Sequence, residues 1–139
     1  MADAFTAEAS IRARLIANWN ATPAGRLRFE NDPYIDTDAL APFCQVEIVG
    51  GTDRPYIGQP GARFNRMDGV VMLHLMVPTI SGIAGLASMF RNARAVLSNA
   101  IFDGVYMAGM SPHGGRPASE DGSYFGITAT ATFFYIYHD

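Results

Sequence analysis

The strongest hydrophobic patterning in the chain runs from residue 67 to 104. VVMLHLMV at 70–77 is apolar on both faces of an extended strand and stops at Pro78, whose ring has no N–H for a ladder. A strand apolar on both faces predicts a central place in its sheet. A TISG turn at 79–82 follows, then helical periodicity over 83–101, with Ser81 as the expected N-cap. Leu86, Phe90, Ala93, Leu97 and Ile101 fall in one sector of that helix, with Ile83 at its edge. Opposite them lie Ala84, Gly85, Ser88, Asn92, Ala95 and Asn99. A small, uncharged outer face fits either close packing against a neighbour or a bland wet surface. Arg94 falls beside the apolar stripe, placed to snorkel or to pair with a carboxylate across an interface.

Shorter segments flank this block. Ile11, Leu15 and Trp19 recur at helical spacing with Ile16 alongside, predicting a helix over 6–19 with Thr6 as N-cap and Glu8 in its first turn. Trp19 reads as core or as an interface anchor. RLRFE at 26–30 alternates and predicts a short, half-wet strand; FCQVEIV at 43–49 alternates again, with Cys44, Val46 and Ile48 on one face. Between them the acidic stretch 31–42 carries Asp32, Asp36 and Asp38. It lacks the alternating ligands and closing Glu of a calcium loop and reads as a solvated loop. Residues 50–65, GGTDRPYIGQPGARFN, read as an arm or contact loop too rich in Gly and Pro for regular structure, with disorder as the alternative. Residues 105–108 predict a short strand, 111–122 a second turn-rich loop, and 124–137 the clearest strand of all. In that last strand Phe125, Ile127, Ala129, Ala131, Phe133, Tyr135 and Tyr137 share a face, and a Thr row with Phe134 and Ile136 forms the other.

These elements predict an α+β fold: a single domain over 1–139, its mostly antiparallel sheet flanked by an N-terminal helix and one long central helix. Only 17% of the residues are charged, a low fraction that points to surface hidden against a partner. All 10 basic residues are arginine, which fits either a GC-rich codon bias or a preference for Arg at interfaces. The net charge of −3 and the absence of a basic cluster argue against a nucleic-acid-binding module. Cys44 is the sole cysteine, so an intramolecular disulfide is impossible and the thiol reads as a small core hydrophobe. The N-terminus lacks a signal-peptide pattern and no apolar run is long enough to span a bilayer, so a soluble protein made in a reducing cytoplasm is expected.

Chemistry is sparse. There is no nucleophile elbow, metalloprotease motif, phosphate loop or dinucleotide fingerprint, so no enzyme, no cofactor and no metal is expected. His74 reads as a hydrogen-bonded core residue rather than a catalyst. His113, Glu120 and Asp121 lie in one loop, but nothing fixes their spacing, and a mobile loop is the simpler reading of them than a metal site.

The IRARLIANW helix, the LRFENDPY segment, the FCQVEIV strand with its glycine loop, GVVMLHLMVP with the long helix, and the closing alternating strand together resemble the tail-terminator or tail-completion proteins of long-tailed bacteriophages and gene transfer agents. The resemblance covers essentially the whole chain and rests on patterns rather than invariant chemical residues. It implies a homo-hexameric ring that caps the tail tube, ends its polymerisation and meets a head-completion or stopper protein. It also implies that DNA passes the channel without specific binding, that no membrane is involved, and that the protein is assembled in the bacterial cytoplasm into the virion tail or neck. Arg54, Tyr56, Arg63, Phe64, Arg94 and Phe134 are the residues expected at subunit or partner contacts. A head–tail stopper of the same particle is the nearest alternative. A small cytoplasmic ligand-binding or enzymatic domain, with a pocket at His74 or His113, is the alternative of another class.

Overall fold

A computed structural model describes residues 4–22, 26–30, 32, 41–59, 62–117 and 123–138. In chain order the elements are α1 (Ala4–Asn18), β1 (Leu27–Arg28), β2 (Phe43–Gln59), β3 (Ala62–Pro78), α2 (Gly82–Leu97), β4 (Ile101–Phe102), β5 (Val105–Met107), β6 (Ser111–Pro117) and β7 (Tyr124–His138). They form one α+β domain around a 7-stranded sheet of order β1-β2-β3-β7-β5-β4, with β6 also paired to β7. Among the described strands only β1 runs parallel to its neighbour. β3 is central, as its sequence predicts, running between β2 and β7 in continuous register with β7 from Phe64↔His138 to Pro78↔Tyr124.

Both helices lie on the same face of the sheet. Val71, Leu73, Leu75 and Val77 of β3 are buried with Cys44 and Val46 of β2, Ala129, Ala131 and Phe133 of β7, and Ala7, Ile11 and Leu15 of α1 in one core. Leu86, Met89, Ala93, Val96 and Leu97 of α2 complete it. Arg14 ties the helices together, its Nε donating to the Val96 carbonyl at 2.7 Å while its guanidinium lies 4.9 Å from the Phe102 ring centroid. Burial pushes the Cys44 thiol pKa up, which keeps it protonated and unreactive.

Among the described residues, the other sheet face has no helix over it. Val70, Met72, His74 and Met76, the alternate residues of β3, are only half-buried. The apolar pattern on both faces therefore marks a central strand, but one with a single fully buried side.

Element lengths create the main feature. The 16 residues of α2 span about 24 Å, whereas 17 residues of strand span about 56 Å. The helices therefore cannot cover β2 and β3 along their length. Beyond Val49 and Gly69 the two strands continue as an antiparallel hairpin arm, with register shifts between Gly50 and Asp53 and between Pro55 and Ile57. Residues 50–59 and 62–65 are thus strand and not loop. Their backbone stays in the sheet, and the bulges accommodate the extra residues. Two glycines are sterically required at the base of the arm. A Cβ on Gly69 would stand 2.4 Å from Phe133 Cζ and 2.9 Å from the Val49 carbonyl; one on Gly51 would stand 2.5 Å from the Asp68 carbonyl. Gly69→Ala is expected to lower the unfolding free energy by about 2 to 3 kcal/mol, because Phe133 cannot leave the core without a cavity. Urea denaturation checks this, and an unchanged midpoint would show that the ring has room to move.

Several local expectations shift. The first helix begins at Ala4, so Thr6 lies inside it rather than capping it, and Ile16 is exposed rather than part of the stripe. Trp19 packs at the core margin, its Nε1 donating to Thr22 Oγ1 at 2.8 Å. α2 is preceded by a tight turn at Thr79–Ser81 and starts at Gly82. It ends at Leu97, just before Asn99 takes a left-handed φ of 56°. Ile101 consequently belongs to β4 and is exposed. Asp103 and Gly104, both at positive φ, form the two-residue turn joining β4 to β5. The buried stripe of α2 is rotated toward Met89 and Val96, which brings Arg91 into the exposed face. That face is not uncharged. Residues 111–117 of the expected second loop form β6 against β7.

Candidate contact surface

The arm and the uncovered sheet face present most of the residues expected at contacts. At the base of the arm Arg54 and Arg66 stand opposite each other in register, with Asp68 beside them. Asp68 Oδ1 accepts from Arg66 Nε at 3.0 Å, and Arg54 Nη2 lies 3.6 Å from Asp68 Oδ2. The Arg66 guanidinium sits 3.9 Å over the Phe134 ring centroid, and Tyr106 stacks on Phe134 at 4.9 Å and an interplanar angle of 5°. Arg66, Phe134 and Tyr106 therefore form a continuous stack across β3, β7 and β5. On the other face the Tyr137 hydroxyl donates to Asp53 Oδ2 at 2.5 Å. Each contact is worth about 1 kcal/mol at a surface, but together they brace the arm on both faces.

The braced ribbon carries Tyr56 at 58% exposure and Ile57 at 64%. Arg63 and Phe64, both half-buried, pair with Gly58 and Ile57. Five of the expected residues, Arg54, Tyr56, Arg63, Phe64 and Phe134, are thus gathered on the arm or at its base. Arg94 is separate. It lies on α2, on the helix-covered side of the sheet, exposed and 6.0 Å from the Phe90 ring centroid. Arg66, Asp68, Tyr106 and Asp53 were not expected in this cluster. The alternation Phe64, Arg66, Asp68 continuing into β3 was the available signal.

Lower on the uncovered face, His74 Nδ1 lies 3.0 Å from Thr128 Oγ1, and its Nε2 lies 3.8 Å from Glu47 Oε2. His74 is hydrogen-bonded as expected, but it stands on the uncovered sheet face and not in the core. His113 is exposed on β6, in register with Thr128. Asp32 accepts the Phe29 N–H at 2.8 Å, a local turn contact. Asp36, Asp38, Glu120 and Asp121 lie outside the described residues.

The fold and surface define a class of protein: a one-layer-covered sheet that projects a braced β-hairpin arm. No family model and no curated protein sequence matches the chain. The solved structures that share the fold include two that match it over nearly its whole length. One, of a protein bearing no functional name, is 13% identical with a TM-score of 0.61, covering 92% of this chain and 94% of that one. The other is a chain in the virion of a native gene transfer agent (GTA) particle, 12% identical with a TM-score of 0.55, covering 94% of both chains. At such identities the likeness is one of fold. Among the described residues, no helix is long and apolar enough to cross a membrane.

Proposed function

We propose that this chain is a virion structural protein that forms a ring on the end of a tail tube, stops the tube growing and joins the tail to a head-completion or stopper protein. The observation that carries this reading is the likeness of fold, over 94% of both chains, to a component of a gene transfer agent virion. The exposed, braced arm supports it, because a stiff ribbon loses little conformational entropy when it binds a neighbour. The ring is homo-oligomeric, hexameric as the family resemblance implies, and DNA passes its channel without specific binding. The partners are the major tail tube protein on one side and the neck protein on the other.

The test is to add the purified chain to its polymerising tail tube protein and measure tube lengths by negative-stain electron microscopy. Tubes capped at one end, and shortening as more chain is added, are the expected result. Unchanged tube lengths with no density on tube ends would overturn the terminator role. Binding only to the neck protein would assign the chain to the stopper position instead.

A further inference from the structure

Charge is segregated along this chain. Residues 29–53 hold six carboxylates and no basic residue, whereas residues 69–102 hold no carboxylate and two arginines, Arg91 and Arg94. The fold keeps Glu30 and Glu47, on the β1–β2 side, apart from the arginines of α2. β1 and β2 form one lateral edge of the sheet, while α2 contributes to the core against β3 and β7 and leads into β4 at the opposite edge. On the acidic edge the Glu30 carboxylate accepts the Ile48 N–H at 2.7 Å, which holds it one residue from Glu47. Nearby, Arg26 bonds the carbonyl of Ala41, Arg28 is half-buried with its Nε lacking a hydrogen-bond partner among the described residues, and His74 Nε2 lies 3.8 Å from Glu47 Oε2. On α2, Arg91 and Arg94 are exposed and make no ion pair among the described residues; Ile83, 74% exposed, lies on the same helix with Ala84, Ser88 and Ala95.

We infer that the exposed face of α2 docks on the β1–β2 edge of a second copy of the chain, Arg91 and Arg94 meeting Glu47 and Glu30. The inference rests on the ring reading above and names the surfaces that close the ring. Charge complementarity identifies the occupant: the acidic edge supplies the opposite sign, and every copy carries both surfaces. Two different surfaces meeting head to tail generate a ring when the rotation closes. Ile83 and the small residues around it give the contact an apolar centre, with the ionic groups setting partner and register.

The experiment uses two full-length variants, Arg91→Glu with Arg94→Glu, and Glu47→Arg, in sedimentation velocity alone and mixed, with and without tail tube protein. All three sites are at the surface, and circular dichroism checks that each variant keeps the fold. Each variant alone is expected to associate roughly a hundredfold more weakly than wild type, because like charges face each other. An equimolar mixture is expected to recover association, since the reversed helix of one variant then faces the reversed edge of the other. Variants that associate like wild type, or a mixture that stays dissociated, would overturn this interface while leaving the ring intact. A wild-type chain that remains monomeric both alone and on tubes would remove the ring and this interface together.

Discussion

A chain carrying Leu73→Ala is expected to lose about 3 to 4 kcal/mol of unfolding free energy, the largest stability effect of any single truncation in the central strand. Leu73 is fully buried, paired with Val46 on one side and Ala129 on the other, both equally buried. Its neighbours sit in a sheet held by ladders on both sides, so they cannot collapse into the space left behind. The cost is therefore the lost transfer energy plus a cavity, out of a total of about 5 to 15 kcal/mol for a domain. For a chain of this size the melting temperature should fall by roughly 10 °C. Trp19 fluorescence during urea titration reads the change, since Trp19 packs at the margin of the same core. His74→Ala, next along the same strand but on the uncovered face, should cost only about 1 kcal/mol, the worth of one half-exposed hydrogen bond. Similar losses at the two positions would mean that the uncovered face is packed in the free chain.

That contrast shows what periodicity reveals and where it misleads. β7 was legible almost to the residue because Phe125 to Tyr137 alternate without a break and one face is buried from Ala129 to Tyr135. β3 was legible as central because central position depends on having two strand neighbours. Its second apolar face carried different information. Val70, Met72 and Met76 are only half-buried, with no helix over them among the described residues, which sequence cannot distinguish from full burial. The helix stripe was misplaced because Phe90 and Met89 are equally hydrophobic. The direction of the sheet beneath α2 decides which of them turns inward, and that is tertiary information.

The arm was the largest miss. Gly50, Gly51, Pro55, Gly58, Pro60 and Gly61 give its sequence the composition of a loop, and two bulges break the period of two. What keeps it in the sheet is β7, far away in sequence, whose last residues pair with residues 64–69 of β3. Composition registers the local cost of glycine but not the distant ladder that offsets it. The candidate contact residues were named there from residue type alone, because Arg, Tyr and Phe in a Gly-rich setting are enriched at interfaces whether the backbone is loop or strand.

Removing the arm's outer half is expected to abolish assembly and leave the domain folded. Arg54 and Arg66 are paired across the hairpin, so residues 55–65 can be replaced by Asn-Gly, whose type I′ turn suits a two-residue connection. The deletion removes Tyr56 and Ile57, which are mostly exposed and contribute little to the core. It also removes the pairing of Asn65 with Tyr137 and of Phe64 with His138. Each such ladder bond is worth about 1 kcal/mol net, and the shorter connection recovers part of that. The Arg54–Asp68–Arg66 cluster and its stack on Phe134 and Tyr106 remain as the new tip. Near-ultraviolet circular dichroism and the melting temperature should therefore stay close to wild type, while sedimentation shows monomer and added chain no longer limits tube length. A truncated chain that still assembles and still stops tubes would take the arm out of the contact. In that case ring closure would rest on the α2 face and the β1–β2 edge alone.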